Sequence, residues 1–279
     1  MPNFVDCAIF RPSSSEELSR RSALRAGLGV PGEAFVVGCV AAVKKSHKRI
    51  DYLIAEFASV QNAYPLLPFL LIAGAKTDET DELIALAEAL IPGRYKIVTD
   101  CSRAQMPDLY RVMDVFVLAS LFEMMPIALL EALASGLPCL VNKHPVLEWM
   151  TGAAEKTADR RLQTSEDQGE EKEFEQKHAK DEKRENRFSS GGGEENSSCS
   201  EHVEAASRSV QNSSLTGGMA IDMSKEGALS QALAGLSPEW IERHGRQARE
   251  RALKMFSREF MICQYVDYYK EVLGQKSEG

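Results

Sequence analysis

Short apolar runs punctuate the chain at 34–42 (AFVVGCVAA), 68–74 (PFLLIAG), 95–99 (YKIVT), 114–119 (DVFVLA), 139–141 (CLV) and 217–222 (GGMAID). Each is too short for a buried helix and rich in β-branched or aromatic residues, which predicts strands buried on both faces. The stretches between them carry apolar residues at spacings of three and four. In 127–134 the series Ile127, Leu130, Ala134 interleaves with Leu129, Leu133, and Gly136 and Pro138 then stop the helix. The same reading predicts helices over 18–28, 50–62, 77–90, 106–113, 225–236, 238–255 and 258–273. Their starts are marked by the serines at 13–15 before Glu16 and Glu17, by acidic residues after Thr77, and by Pro238 behind Ser237. Strands alternating with helices predict an α/β fold with a Rossmann-like, doubly wound parallel sheet.

The pattern fails between 153 and 215. That stretch is rich in Glu, Lys, Arg, Gln and Ser, contains a Gly191–Gly193 run and has almost no aliphatic period. Such a composition buries too little apolar surface to offset ordering entropy, so it is expected to be a low-complexity, disordered insertion. The expected organisation is one domain built from 1–152 and 216–279.

Composition narrows the partners. The chain has 279 residues and a formal net charge of −8, which argues against nucleic acid or an anionic membrane as the main partner. No apolar stretch reaches the roughly 18 residues of a membrane span and no secretory signal is evident, so a cytoplasmic location is expected. The six cysteines, at 7, 39, 101, 139, 199 and 263, show no CxxC spacing. Reduced thiols, no zinc and no cofactor are expected. Asn-Ser-Ser at 196 and 212 fits a glycosylation sequon but carries no weight without a secretory context.

Candidate chemistry concentrates in 120–138 (SLFEMMPIALLEALASGLP), a loop and helix between two predicted strands. Loops leaving parallel strands lie at the carboxyl edge of the sheet, where ligands bind. Pro126 is expected at the first helical position, so Glu131 would lie about 7.5 Å along the axis and Glu123 in front of the helix end. Backbone N–H groups of Met124, Met125, Ile127 and Ala128 would then offer a diphosphate site, with a carboxylate at either end to accept sugar hydroxyls. From the acids alone, the plainer alternative has the stronger claim: one carboxylate serving the helix dipole and one solvated helix Glu. The basic loop 43–49, with Lys44, Lys45, Lys48 and Arg49, is either a second clamp on phosphate or a solvated charge cluster. His144 is read as a surface or packing residue, and Trp240, Tyr265, Tyr268 and Tyr269 as packing residues.

The segment FEMMPIALLEALASGLP resembles the E-x7-E motif of family-4 glycosyltransferases, the retaining nucleotide-sugar enzymes of GT-B architecture. The match runs through Glu123, Glu131, Ala132, Ala134, Gly136 and Pro138, with Met124, Met125 and Pro126 replacing the usual small residues. The resemblance covers about 1–152 and 216–273. It also includes MPNFVDCAIFRP at the start, L-x-I-x-G at 70–74 and the L-x-x-L-Y-type segment before Asp114. It implies the donor-binding, C-terminal half of a GT-B enzyme, with a nucleotide diphosphate sugar as substrate and a separate N-terminal half carrying the acceptor site. Glu123 would contact the donor sugar and Glu131 the ribose, with Lys48 and Glu123 the catalytic pair. Lys44, Arg49, Met124, Met125 and Ile127 would serve the diphosphate, and Val98 and Thr99 the base. Lys48 matches the family's phosphate-binding lysine, while Cys39 stands where an arginine is usual. No metal is implied. The alternatives are a non-catalytic nucleotide-sugar-binding module and, more weakly, a GT-B epimerase.

Overall fold

The computed structural model describes residues 3–14, 18–60, 68–153 and 215–273. The expected insertion, apart from Ala153 and Leu215, lies outside them. Among the described residues the strands are β1 (Phe35–Val40), β2 (Pro68–Ala73), β3 (Tyr95–Val98), β4 (Val115–Leu118), β5 (Cys139–Asn142) and β6 (Gly218–Ile221). All pair in parallel, in the order β3-β2-β1-β4-β5-β6. The helices are α1 (Leu18–Gly27), α2 (Ile50–Ala58), α3 (Thr80–Leu90), α4 (Met106–Val112), α5 (Ile127–Ala134), α6 (Pro145–Thr151), α7 (Ala228–Ala234), α8 (Pro238–Met255) and α9 (Arg258–Val272). This is the expected Rossmann-like doubly wound sheet.

Strand periodicity divides the core in two. Val36, Leu71, Phe116, Leu118 and Val141 pack with α4, α5, α6 and α8, while Val37, Cys39, Leu70, Ile72, Val117 and Leu140 pack with α2, α3 and α7. With both faces covered, the strands read as continuous apolar runs rather than alternating ones. Asp114, just before β4, accepts from Arg21 (2.6 Å), Arg25 (2.7 Å) and the amide of Val36 (2.7 Å). That cluster ties α1 to the seam between β1 and β4.

Several boundaries differ from expectation. The helix expected from Thr77 begins at Thr80, because Thr77 and Thr80 both hydrogen-bond the carbonyl of Val43 and hold the first turn as a loop. The helix expected from Lys225 begins at Ala228, capped by the buried Glu56, which accepts from the amides of Gly227 (2.7 Å) and Ser230 (2.9 Å). The helix expected over 50–62 ends at Ala58, and Gln61 and Asn62 lie outside the described residues. Tyr268 and Tyr269 are exposed on α9 rather than packed, whereas Trp240 stacks on His244 at 4.0 Å.

The N-terminal segment is held along α5 and α8, from the start of α5 at Asn3 to its end near Phe10. Arg249 of α8 donates to the carbonyls of Cys7 (2.9 Å) and Phe10 (2.8 Å), and Arg258 pairs with Asp6 at 2.7 Å. The Asn3 side-chain amide donates to the carbonyl of Met125 at 2.9 Å, at the mouth of α5. Among the described residues no helix is long and apolar enough to cross a membrane.

Candidate functional site

The chain runs outward from β1 to β2 and β3, then returns to the centre at β4 and runs the other way. Loops leaving β1 and β4 therefore diverge over a crevice at the carboxyl edge, the place where open parallel sheets bind ligands. The β1 loop climbs close to its neighbour. A Cβ on Gly74 would lie 1.8 Å from the carbonyl oxygen of Ala41, so only glycine permits this approach. His47 (φ 63°) and Arg49 (φ 52°) both adopt the left-handed conformation that non-glycine residues rarely take, bending the chain sharply around Lys48. The carbonyl of His47 accepts from the amide of Leu121 at 3.0 Å, locking this loop to the one after β4. Asn142 steadies that second loop from β5 by donating to the carbonyl of Ser120 at 3.2 Å.

These contacts bring the Lys48 ammonium to 2.5 Å from a Glu123 carboxylate oxygen. The two side chains are only 24% and 10% exposed, so each charge in part replaces the other's lost water. Helix α5 begins beside them. Pro126 is the N-cap, with ψ 121°, rather than the expected first helical residue. Its carbonyl accepts from Leu129 and Leu130. The N–H groups of Ile127 and Ala128 therefore lie outside the helical ladder, at the positive end of the dipole.

Glu131, one turn further on, is nearly enclosed. Tyr110, fully buried on α4, donates its hydroxyl to Glu131 Oε2 at 2.9 Å, and the Arg103 guanidinium stands 3.6 Å from Oε1. Burial raises the Glu131 carboxyl above the usual carboxylate range, while the Tyr110 hydrogen bond and the Arg103 charge pull it back down. The Tyr110 phenol is itself held well above its usual range by burial and by the neighbouring carboxylate, so it stays a donor.

A cleft of about 620 Å³ joins these groups. Of the expected site residues, Lys48, Thr99, Glu123, Ile127 and Glu131 line it, and Lys44, Arg49, Val98, Met124 and Met125 do not. Arg49 is turned away: its guanidinium lies over the Tyr52 ring at 4.0 Å and donates to the carbonyl of Met223, stapling α2 to the loop before α7. It is not placed to meet an anion in the cleft. Met124 is 80% exposed, whereas Met125 packs on the core. Cys39 does not line the cleft. Its thiol is buried among the α2 and α3 contacts and pushed up to about 12 by burial, so a side chain at that position points into the core. The residues that meet the cleft from the end of β1 are Val40, Ala41 and Ala42, none of which supplies a charge. Arg103 and Tyr110 were not singled out from the sequence. Tyr110 stands in the quoted L-x-x-L-Y-type segment, which was its one visible signal.

Comparison with known proteins fits this geometry. Residues 34–160 match the family model described as glycosyl transferases group 1. EpsF of Bacillus subtilis (strain 168) is 27% identical over 149 residues, covering 51% of this chain and 35% of that protein. The UDP-Gal:alpha-D-GlcNAc-diphosphoundecaprenol alpha-1,3-galactosyltransferase of Escherichia coli is 52% identical over 40 residues, covering 14% of this chain and 10% of that one. Among solved structures, the sucrose-phosphate synthase of Thermosynechococcus elongatus superposes with a TM-score of 0.65 at 17% identity, over 98% of this chain and 52% of that chain. Anabaena HepE, solved in complex with UDP and glucose, gives 0.63 at 16% identity, over 96% and 55%. The matches span 35% and 10% of the two curated relatives and about half of the solved chains. The chain is thus similar to glycosyl transferases group 1 over residues 34–160, and it shares the Rossmann-like fold of these solved structures.

Proposed function

We propose that this chain binds a nucleotide diphosphate sugar and acts as the donor half of a retaining glycosyltransferase. The observation that carries the reading is a single cleft lined by the Lys48–Glu123 pair, the N-terminus of α5 and Glu131. The diphosphate lies against the amides of Ile127 and Ala128 with Lys48 beside it. Glu131 accepts from the ribose diol, and Glu123 from the hydroxyls of the donor sugar. These groups stabilise charge on the departing diphosphate and orient the sugar, which together account for most of the catalysis required. Two of the similar proteins, a galactosyltransferase named for a UDP-Gal donor and HepE in complex with UDP and glucose, support the class of ligand.

Calorimetric titration with a nucleoside diphosphate and with its sugar conjugate tests the assignment. Lys48→Ala and Glu131→Ala should each weaken both ligands by about tenfold to a hundredfold, the effect of losing a charged hydrogen-bond partner. Glu123→Ala should weaken only the conjugate. Equal affinities in all variants and the parent would sink the reading.

A second reading is a binding module that needs a facing half from further sequence or another chain. The short coverage of its relatives favours it. Holding the acceptor contributes roughly 7–11 kcal/mol of barrier lowering in well-oriented reactions. Without a facing half, these 279 residues would bind UDP-, GDP- or ADP-sugars and release nucleotide only slowly, even with sugar or lipid acceptors present. Robust transfer by the isolated chain would exclude this second reading.

A further inference from the structure

A second cavity of about 340 Å³ adjoins the cleft, walled by Phe4, Ile9, Phe10 and Pro107. The two spaces share Arg103, Ile127 and Glu131. We propose that Arg103 selects the nucleobase of the bound nucleotide, favouring bases with a ring carbonyl, uracil and guanine, over adenine. The inference rests on the donor-site reading and names the part of the ligand that reading leaves open.

The order of groups along the cleft places the base. The diphosphate end is fixed by Lys48 and the first amides of α5, and the ribose by Glu131. Glu131 Oε2 is already engaged by Tyr110, so Oε1 is the oxygen left for the sugar diol. A hydroxyl bonded to Oε1 at about 2.7 Å brings the furanose, and the base attached to it, within reach of the guanidinium. That guanidinium stands 3.6 Å from the same Oε1. This distance is too long for a good hydrogen bond, and the Arg103 side chain is 80% exposed, so the group is free to swing onto a ligand. The apolar residues of the smaller cavity, beside the paired Asp6 and Arg258, offer a surface for the face of a base.

Arginine presents five N–H donors in a planar fork and no acceptor. Uracil and guanine offer carbonyl oxygens to such a fork. Adenine carries an amino group at the position where guanine carries its carbonyl, so donor faces donor. Selection by hydrogen bonding therefore separates oxo-bases from adenine, whereas stacking on the guanidinium plane is tolerant of the base.

The test is calorimetry of UDP, GDP and ADP with the full chain and with Arg103→Ala and Arg103→Lys. The parent should bind UDP and GDP about tenfold more tightly than ADP or better. Arg103→Ala should bring all three within roughly twofold by weakening UDP and GDP, and Arg103→Lys, which keeps the charge but not the fork, should recover little of the preference. Arg103 is exposed, and an unchanged melting curve confirms that each variant is folded. Equal weakening of all three ligands by Arg103→Ala would mean that the cation serves the diphosphate, and an undiminished preference would mean that the base is read elsewhere. Either result overturns the proposal while leaving the nucleotide site intact. Failure of the parent to bind any of the three would overturn the donor-site reading and this proposal together.

Discussion

Replacing Tyr110 by phenylalanine should destabilise the protein more at alkaline pH than at acid pH. The substitution removes one oxygen and leaves the ring, which keeps its edge contact with Phe10 at 5.7 Å and its tilted contact with Phe116 at 6.1 Å. No sizeable cavity opens, so the loss is the hydroxyl's hydrogen bonding. That hydroxyl donates to Glu131 Oε2 at 2.9 Å and also lies 3.1 Å from the carbonyl of Ala128. With one proton to give, it favours the carboxylate whenever Glu131 is ionised. A hydrogen bond to a charged group contributes about 1.5–3 kcal/mol, against about 0.5–1.5 kcal/mol between neutral partners.

The sign follows from the direction of the Glu131 shift. Burial raises its folded pKa above the unfolded value, so ionised Glu131 opposes folding. That penalty is absent below the unfolded pKa of about 4.3 and fully present above the folded one. Tyr110 reduces the penalty by lowering the folded pKa, and phenylalanine cannot. Below the unfolded pKa the variant should therefore lose roughly the neutral hydrogen bond, and above the folded pKa roughly the charged one. Urea unfolding at one pH in each range, followed by circular dichroism, reads the difference directly. In melting experiments a domain of this size should move by roughly 2–4 °C per kcal/mol. An equal loss at both pH values would refute the argument, because it would mean that Glu131 does not change ionisation between them.

Two further outcomes follow from the same structure. Glu56→Ala strips two amides at the start of α7 of their acceptor, and should cost about 2–4 kcal/mol in urea unfolding, while Glu56→Gln, which keeps one acceptor oxygen, should cost less; a change within experimental error would show that water caps the helix equally well. Joining Ala153 to Leu215 by about eight Gly and Ser residues should not lower the melting temperature, since the amide of Gly217 already meets the carbonyl of Thr151 at 2.8 Å and shortening the loop by roughly three doublings returns about 0.6 kcal/mol each; a clear loss of cooperative unfolding would show that the removed residues support the core.

What the sequence disclosed and what it hid have separate physical causes. Strands and helices were legible because burial on both faces leaves continuous apolar runs, and the helix over 238–255 was found to the residue from Ser237 and Pro238. Starts set by distant groups were missed. Glu56 decides where α7 begins from 171 residues away, and the carbonyl of Val43 holds Thr77 out of α3. Cys39 was legible in principle. The period of two that puts Val37 toward α2 puts Cys39 there as well, so its thiol could not face the cleft. Arg49 looked like a phosphate ligand because charge reads as function, but its left-handed backbone turns the side chain to Tyr52. The site itself depends on strand order, which no local pattern encodes. Lys48 and Glu123 are 75 residues apart, and they meet because β4 returns to pair with β1 at Val37–Val115. In the sequence they share a site only through the sheet edge expected for both loops and through the resemblance, the acid motif carrying Glu123 and the family's lysine carrying Lys48. Arg103 had no such help. It lies outside every motif and 28 residues from Glu131, and it reaches the cleft only because α4 packs beside α5 and carries the loop before it there. Side chains like this one, exposed, charged and placed by tertiary packing alone, are where one member of a fold family can differ from the next in what it binds.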